Sequence, residues 1–415
     1  MHDIIFKGLN IEKLLIVLEE TYDNKMSNCE QIKKYFNSRW YDRYEYRCNG
    51  VRGNKKIAFY SDFYYRRDHL LIFKNFMKQF PEFNYVFPIR HSKERLNLKR
   101  GFKLLKWDLC NLLAIRNMKM QLRKRIFFIR VIGLIQLYCS KMENYLGETT
   151  YLYGLVYNDS NPYENILVQY MKKRGIYTAT LQHGIFDKHG FWKGLEFRTS
   201  VADDFLAWNV YTKELAMECS VPEERIKVLG IPRYIIPCII NRENKTGVFS
   251  VVLGAKQLFD ENRKLIEFAN DLAKELGKRY FIRYHPACKG NEYNMYVDKQ
   301  FYIQKNCADE SIYSMCVESD FSLVGSGTSM IIDLIYLKQP FFQYYMQWNG
   351  KTYRKRNNYF KNYKELKQQM QNEDDLQNEE MFYYYCTTRE VKESYDKYFS
   401  LIDSKLMESE TFPQK

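Results

Sequence analysis

Short apolar runs and longer amphipathic ones alternate along this chain, and the alternation has a repeating order. "YGLVYND" (Tyr153–Asp159) is a compact apolar run ending in polar residues, which predicts a buried strand. "NPYENILVQYMKKRG" (Asn161–Gly175) follows with helical spacing, Pro162 suiting the first turn and Gly175 the stop. "IYTATLQHG" (Ile176–Gly184) is the next strand. Two strands joined by a helix form a β-α-β unit, because parallel strands need such a crossover. "KKIAFYSDF" and "NYVFPI" predict strands upstream, and "DFLAWN" and "IKVLGIP" predict two more around the helix "YTKELAMECS".

A polar, turn-like stretch, "NRENKTG" (Asn241–Gly247), interrupts the rhythm and marks the expected domain boundary. Beyond it the same grammar returns. "VFSVVLG" (Val248–Gly254) reads as a buried strand, and over Glu261–Lys278 Leu265, Phe268, Leu272 and Leu276 share one helical face. "RYFIRYHP" and "FYIQKN" predict strands and "ESIYSMCVE" a helix. "SDFSLVGSGTSMIIDLIYLKQPFFQYY" predicts strand, tight loop, helix and strand, and "YDKYFSLIDSKL" a closing helix. The expected class is α/β, with two Rossmann-like domains over residues 1–240 and 241–415.

Composition agrees with that size and adds an asymmetry. The 415 residues are 46% hydrophobic and 27% charged, which is globular and ample for two cores. The net charge of +14 lies wholly in the first half: residues 1–240 hold 39 Lys+Arg against 25 Asp+Glu, and residues 241–415 hold 25 of each. Thirteen basic residues and two acids fall between Arg90 and Arg130, inside a largely helical segment of about 92–145. Such a field attracts an anionic partner, whether a phospholipid surface, an anionic saccharide or a lipid-linked acceptor. Nucleic acid would suit the charge alone, but no recognition motif accompanies it, and it is not expected as a partner.

"IFFIRVIGLIQLYC" (Ile126–Cys139) is too short to span a bilayer and contains Arg130. It fits a buried helix or an interfacial one flanked by "RKR". The ten cysteines show no CxxC and no zinc-finger spacing, and Met1–Asn10 is polar and mixed. The expected setting is the cytoplasm, with peripheral contact at the inner membrane face through the basic 90–130 segment.

In an open α/β sheet, ligands bind at the carboxyl ends of the strands. Four stretches bring chemistry there. "GSGTS" (Gly325–Ser329) lies between a strand and a helix; its glycines allow close backbone approach, and Ser326, Thr328 and Ser329 offer hydroxyls to an anion beside Gly327. A plain helix cap would use the same residues. "RYHP" ends a strand with Arg283 and His285, which suit a diphosphate or merely a polar strand terminus. "VLGAKQ" offers Gly254 for close approach and Lys256 for a phosphate, or is simply a loop. "LQHG" offers His183, whose imidazole can take a proton from a hydroxyl near neutral pH, or can cap a buried strand end. His189 competes with it but looks like loop. No convincing metal cluster, GxSxG or HExxH pattern is present, so no metal or other cofactor is expected.

The order of these pieces is more specific than any one of them. An HG at a strand end, then "KVLGIPRY", a strand with glycine, "RYHP", and "SDFSLVGSGTSMIIDLIYLKQPFF" resemble the GT-B superfamily over roughly residues 150–345. The resemblance is to bacterial capsule and cell-surface polymer enzymes, including sialyl- and Kdo-type transferases and CDP-glycerol glycerophosphotransferases. It implies two Rossmann-like domains facing each other across a cleft and a metal-independent, inverting glycosyltransferase. The donor would be a CMP-, CDP- or UDP-linked sugar and the acceptor a growing surface polysaccharide or lipid-linked hydroxyl. By the same resemblance His183 is the general base, Arg283 and His285 meet the donor phosphate, Ser326, Thr328 and Ser329 close around it, and Asp333 contacts the ribose. "LQHGIF" and "VGSGTS" depart from the glycerophosphotransferase pattern, which leaves polyol-phosphate transfer as the alternative; a nucleotide-sugar epimerase shares the architecture.

Overall fold

A computed structural model describes residues 5–6, 9–10, 13, 16, 26–30, 43–48, 57–60, 67–81, 84–91, 98–116, 119–133, 152–160, 162–184, 195–238, 240, 246–285, 288, 290–305, 312–345, 358–371 and 379–411. The chain divides into two compact units. The first holds Met1–Ala207, Lys213–Val228 and Tyr395–Lys415, and the second holds Trp208–Thr212 and Leu229–Ser394. The chain thus enters the second unit at Leu229, before the polar stretch at Asn241, and the closing helix expected in the second domain returns to the first from Tyr395 onward.

The first unit opens on a small hairpin, β1 (Ile5–Phe6) with β2 (Leu9–Asn10), and is built on a seven-stranded sheet. Its strands are β3 (Arg43–Cys48), β4 (Ile57–Tyr60), β5 (Asn84–His91), β6 (Tyr153–Val156), β7 (Tyr177–Leu181), β8 (Asp204–Ala207) and β9 (Ile226–Val228), in the order β3-β5-β4-β6-β7-β8-β9. All neighbours are parallel except the edge pair β3 and β5. Helices α1 (Arg67–Gln79), α2 (Leu98–Ala114), α3 (122–133), α4 (Pro162–Lys173), α5 (Leu195–Thr199) and α6 (Val210–Glu218) occur along the same stretch of chain. Every residue of β6 and β8 is buried, as strands covered on both faces require.

Helices α2 and α3 are joined by an Asp108–Arg130 ion pair of 3.0 Å and by Asn111 Nδ2 donating to the Ile129 carbonyl at 3.5 Å. Phe127, Phe128, Val131 and Ile132 are buried, so most of the described part of "IFFIRVIGLIQLYC" is core, with Ile126 exposed. Among the described residues no helix is long and apolar enough to cross a membrane.

The last helix, α12, spans Val391–Thr411 and carries an aromatic face into the first unit. Tyr395 meets the Phe76 ring edge-on at 5.2 Å and Phe399 meets Phe80 at 5.2 Å. The Tyr398 hydroxyl donates to Asp204 at 2.7 Å and lies 2.9 Å from the Tyr153 hydroxyl. These buried rings, each contributing about 1.5–3 kcal/mol by the apolar area they remove from water, explain why the chain's end rejoins this unit.

The second unit is a five-stranded, wholly parallel sheet in the order β11-β10-β12-β13-β14. Its strands are β10 (Val248–Val252), β11 (Arg279–Arg283), β12 (Ser322–Val324), β13 (Phe341–Tyr344) and β14 (Tyr359–Phe360). Its helices are α7 (Phe259–Leu276), α8 (Ile312–Val317), α9 (Met330–Tyr336), α10 (Tyr363–Gln371) and α11 (Glu379–Cys386). Leu265, Phe268 and Leu272 of α7 pack with Phe249, Val251, Tyr280 and Leu323 in one core, whereas Leu276, in the last turn, is 40% exposed. "FYIQKN" does not form the expected strand. Its Phe301 and Tyr302 amides both donate to the Asp298 carbonyl, closing a turn, and Tyr302 makes a single bridge with Tyr280.

Both sheets have a point where successive connections diverge. In the second unit β10 leads through α7 to β11 on one side, and β12 leads through α9 to β13 on the other. In the first, β4 leads to β5 and β6 to β7 in opposite directions. A crevice outside the carboxyl ends of the strands at such a divergence is where this sheet type takes ligands.

Candidate functional site

At the carboxyl edge of the second unit's sheet, two glycine loops meet backbone to backbone. Gly254 follows β10 and Gly325 follows its neighbour β12. A Cβ built on Gly254 would lie 2.3 Å from the Ser326 carbonyl oxygen, and one on Gly325 would lie 3.1 Å from the Gly254 nitrogen. No side chain fits either position without moving main chain. Gly327 takes φ +67, in the left-handed region, and so turns the loop back toward α9.

Asn262, fully buried on α7, clamps the first loop. Its Oδ1 accepts from the Gly254 N–H at 2.8 Å, and its Nδ2 donates to the Gly254 carbonyl at 3.2 Å and to the Tyr293 hydroxyl at 3.0 Å. Gln343 Nε2 donates to the Gly325 carbonyl at 3.3 Å from the other side. The Ser326 hydroxyl donates to Glu261 at 2.7 Å, so a carboxylate only 8% exposed sits at the mouth of the two loops. Thr328 Oγ1 accepts from the Met330 N–H at 3.3 Å, while Ser329 makes no side-chain cap bond. Helix α9 has seven residues, so loop backbone and hydroxyls, more than a helix dipole, form the polar surface here.

The other expected donor residues fall on the same edge, with one exception. Arg283 ends β11 beside β10, its carbonyl accepting from the Leu253 N–H at 3.0 Å, and half-buried His285 follows it. Pro286 lies outside the described residues. Lys256 is exposed and pairs with Glu292 at 3.3 Å. Burial pushes the nearby Cys288 thiol above its ordinary pKa, which disfavours a thiolate nucleophile. Asp333 is the exception. It is 1% exposed, with one oxygen accepting from the Tyr234 hydroxyl at 2.8 Å and the other from Arg233 at 2.9 Å. Tyr234 in turn stacks on Tyr336 at 3.7 Å. These bonds fasten the "IPRY" turn to α9 through a buried ion pair and engage both Asp333 oxygens.

In the first unit, His183 sits just past the carboxyl end of β7, half-buried. Asn158, at the end of the adjacent strand β6, places its Nδ2 3.4 Å from His183 Nε2. An amide nitrogen can only donate, so this contact is a hydrogen bond in the tautomer whose Nε2 holds the lone pair. Asn158 Oδ1 accepts from the Ser160 hydroxyl at 2.5 Å and its amide at 3.1 Å, which fixes the orientation of the carboxamide. Next to it Asp159 is buried and accepts from the Ser200 hydroxyl at 3.0 Å and from the Val201 and Ala202 amides at 2.6 and 2.8 Å. Burial raises its carboxyl above the usual range despite those donors. The Gln182 side chain donates to the Gly184 carbonyl at 2.6 Å and shapes the turn after His183. His189 lies outside the described residues.

Three residues of these edges were not among the sequence candidates. Asn158 was signalled by the polar pair that ends "LVYND". Glu261 and Asn262 carry no signal beyond polarity at a helix start, and only the fold brings them to Gly254.

The chain matches no family model and no curated protein. Among solved structures, the UDP-GlcNAc 2-epimerase from Methanocaldococcus jannaschii aligns with 83% of this chain and 99% of its own at 11% identity and a TM-score of 0.52. A protein from Listeria monocytogenes named as a UDP-N-acetylglucosamine 2-epimerase aligns with 85% of this chain and 97% of its own at 10% identity, also at 0.52. The wall teichoic acid polymerase TagF aligns with 97% of this chain and 99% of its own at 16% identity, with a TM-score of 0.47. Likeness at such identities speaks to fold alone, and the fold is the GT-B class of two Rossmann-like domains.

Proposed function

We propose that the protein is a glycosyltransferase that moves a sugar from a nucleotide-activated donor to a hydroxyl of a growing surface polysaccharide or a lipid-linked acceptor. One observation carries the reading: Gly254, Gly325–Ser329 and the Arg283–His285 turn converge on three adjacent strand ends at the divergence of a parallel sheet. The loop backbone and hydroxyls of Ser326–Ser329, with an arginine alongside, favour a phosphate-bearing ligand. They would stabilise charge developing on the leaving nucleotide. His183 has the form of a base for the acceptor hydroxyl once the acceptor displaces the Asn158 amide from the Nε2 lone pair. The reading needs no metal and no other cofactor, and it places the protein in the cytoplasm, with the basic 90–130 segment turned to an anionic acceptor or the inner membrane face.

The test is a thermal-shift screen of the whole protein against CMP, CDP, UDP, GDP, TDP and ADP, followed by transfer assays with the donors so identified. A nucleotide that stabilises the parent but not Arg283→Ala supports the donor site and names its class. His183→Ala is expected to lower transfer by about 10²–10⁴-fold with donor affinity nearly unchanged. Stabilisation by CDP with transfer from a CDP-polyol would move the assignment to polyol-phosphate transfer. Conversion of a nucleotide sugar with no acceptor present would replace it with epimerisation. The absence of a shift with every nucleotide would overturn it.

A further inference from the structure

Among the described residues, helix α2 buries one side and leaves the opposite, apolar one exposed. Trp107 and Asn111 face inward and are buried against α3. Phe102, Leu105, Leu109, Leu112 and Leu113, spaced three and four residues apart, form the opposite stripe. They stand in solvent, Phe102 at 71%, Leu113 at 63% and Leu109 at 58% exposure. Leu122 and Ile126, one turn apart on α3, are exposed at 70% and 52%. Single exposed leucines are ordinary, but a contiguous stripe of five large apolar side chains in water marks a surface that something covers.

The charge around the stripe says what kind of surface covers it. Lys106 lies at its edge, Arg116 follows at its end, Lys119 precedes α3 and Arg123 lies in its first turn; all four are exposed. Of the two acids among the 13 bases of residues 90–130, Asp108 is turned inward onto Arg130. An apolar stripe edged by cations and nearly free of anions is the pattern of a helix lying in the headgroup layer of an anionic bilayer. A protein partner would need acids facing these cations together with a matching groove; a bilayer supplies both the negative charge and an adaptable apolar depth.

We propose that the outer face of α2, with Leu122 and Ile126 of α3, is a monotopic docking surface for an anionic phospholipid bilayer. Of the apolar stretch that begins at Ile126, only Ile126 belongs to this surface; Phe127, Phe128, Ile129, Val131 and Ile132 are core. The inference stands on exposure and charge and does not rest on the transfer reading.

Sedimentation of the full chain with vesicles tests it without any donor or acceptor. The protein is expected to sediment with phosphatidylcholine vesicles containing one-third phosphatidylglycerol, weakly with phosphatidylcholine alone, and less at high salt. A Leu109→Gln/Leu113→Gln variant is expected to reduce the bound fraction about tenfold with an unchanged melting temperature, because both side chains are already in water. Lys106→Glu/Arg116→Glu, which removes no apolar surface, is expected to lower binding to the anionic vesicles alone, and it carries the test should the leucine variant misfold. Parent protein that stays in the supernatant with anionic vesicles, or variants that sediment like the parent, would overturn the proposal. So would a concentration-dependent dimer that the leucine variant abolishes, which would give the face to a second copy of the chain.

Discussion

Gly254 and Gly184 both follow the end of a parallel strand, yet they are glycines for different reasons. At Gly254 the neighbouring loop is so close that a Cβ would meet the Ser326 carbonyl at 2.3 Å. At Gly184 a Cβ would meet none of the described residues within 4 Å. The second unit's edge is therefore made of main chain pressed against main chain, held by Asn262 and Gln343. The first unit's edge is made of side chains, with His183, Asn158 and Ser160 exchanging hydrogen bonds in a looser arrangement. Main-chain amides present fixed partial charges and suit a group whose charge is invariant, such as a phosphate. Titratable side chains suit a proton that must move.

The comparison is sharpest where it can be broken. Gly254→Val should give the largest effect, about 4 kcal/mol or more, because two backbone segments must separate to admit the side chain. Urea unfolding should report it as a lowered midpoint, with nucleotide stabilisation lost as well. Normal stability in this variant would mean that the two loops are not in the close contact described. Asp159→Ala should come next, at roughly 3 kcal/mol, since it strands the Val201 and Ala202 amides and the Ser200 hydroxyl that Asp159 receives. A cost below about 1 kcal/mol would show that water replaces the carboxylate and that this edge is more open than its burial indicates.

Asn158→Ala should change stability by about 1 kcal/mol or less while slowing transfer roughly tenfold and moving the pH–rate profile. The profile is the decisive readout, because loss of a purely structural contact would leave the pH dependence in place. Gly184→Ala should be the smallest, within about 0.5 kcal/mol in the melting curve. A large loss there would make the two glycines equivalent and remove the contrast.

Much of this was legible in the residue pattern because burial on both faces leaves continuous apolar runs. Strands β6, β7, β8, β10 and β12 and helix α4 all fall within the stretches expected from periodicity, and α7 overlaps its own while starting two residues earlier. The failures have common causes. "FYIQKN" has the composition of a strand, but two of its amides are taken by the Asp298 carbonyl in a turn. "IFFIRVIGLIQLYC" is apolar enough for either a core or an interface, and hydrophobicity alone does not say which. Asp333 sits one turn into the helix after "GSGTS", where the resemblance puts a ribose ligand, but Arg233 and Tyr234, a hundred residues away in sequence, occupy both its oxygens. The acids and amides that line the second unit's edge, Glu261 and Asn262, were silent because nothing local distinguishes them from any helix start.

By itself, then, the sequence determined the succession of strands and helices, the parallel α/β class, and the placement of His183, Gly254, Arg283 and the "GSGTS" loop at strand ends. Each of these follows from local periodicity and from where glycine and polar residues interrupt it. Tertiary structure alone decided which strand ends are neighbours, which carboxylates are already paired, and which apolar helix face is left in water. The physical reason is that hydrophobicity measures what a side chain costs in water, whereas burial depends on partners brought together from distant parts of the chain. Helix α2 shows it most plainly: the side that carries Trp107 and Asn111 is buried, while the more leucine-rich side is left exposed.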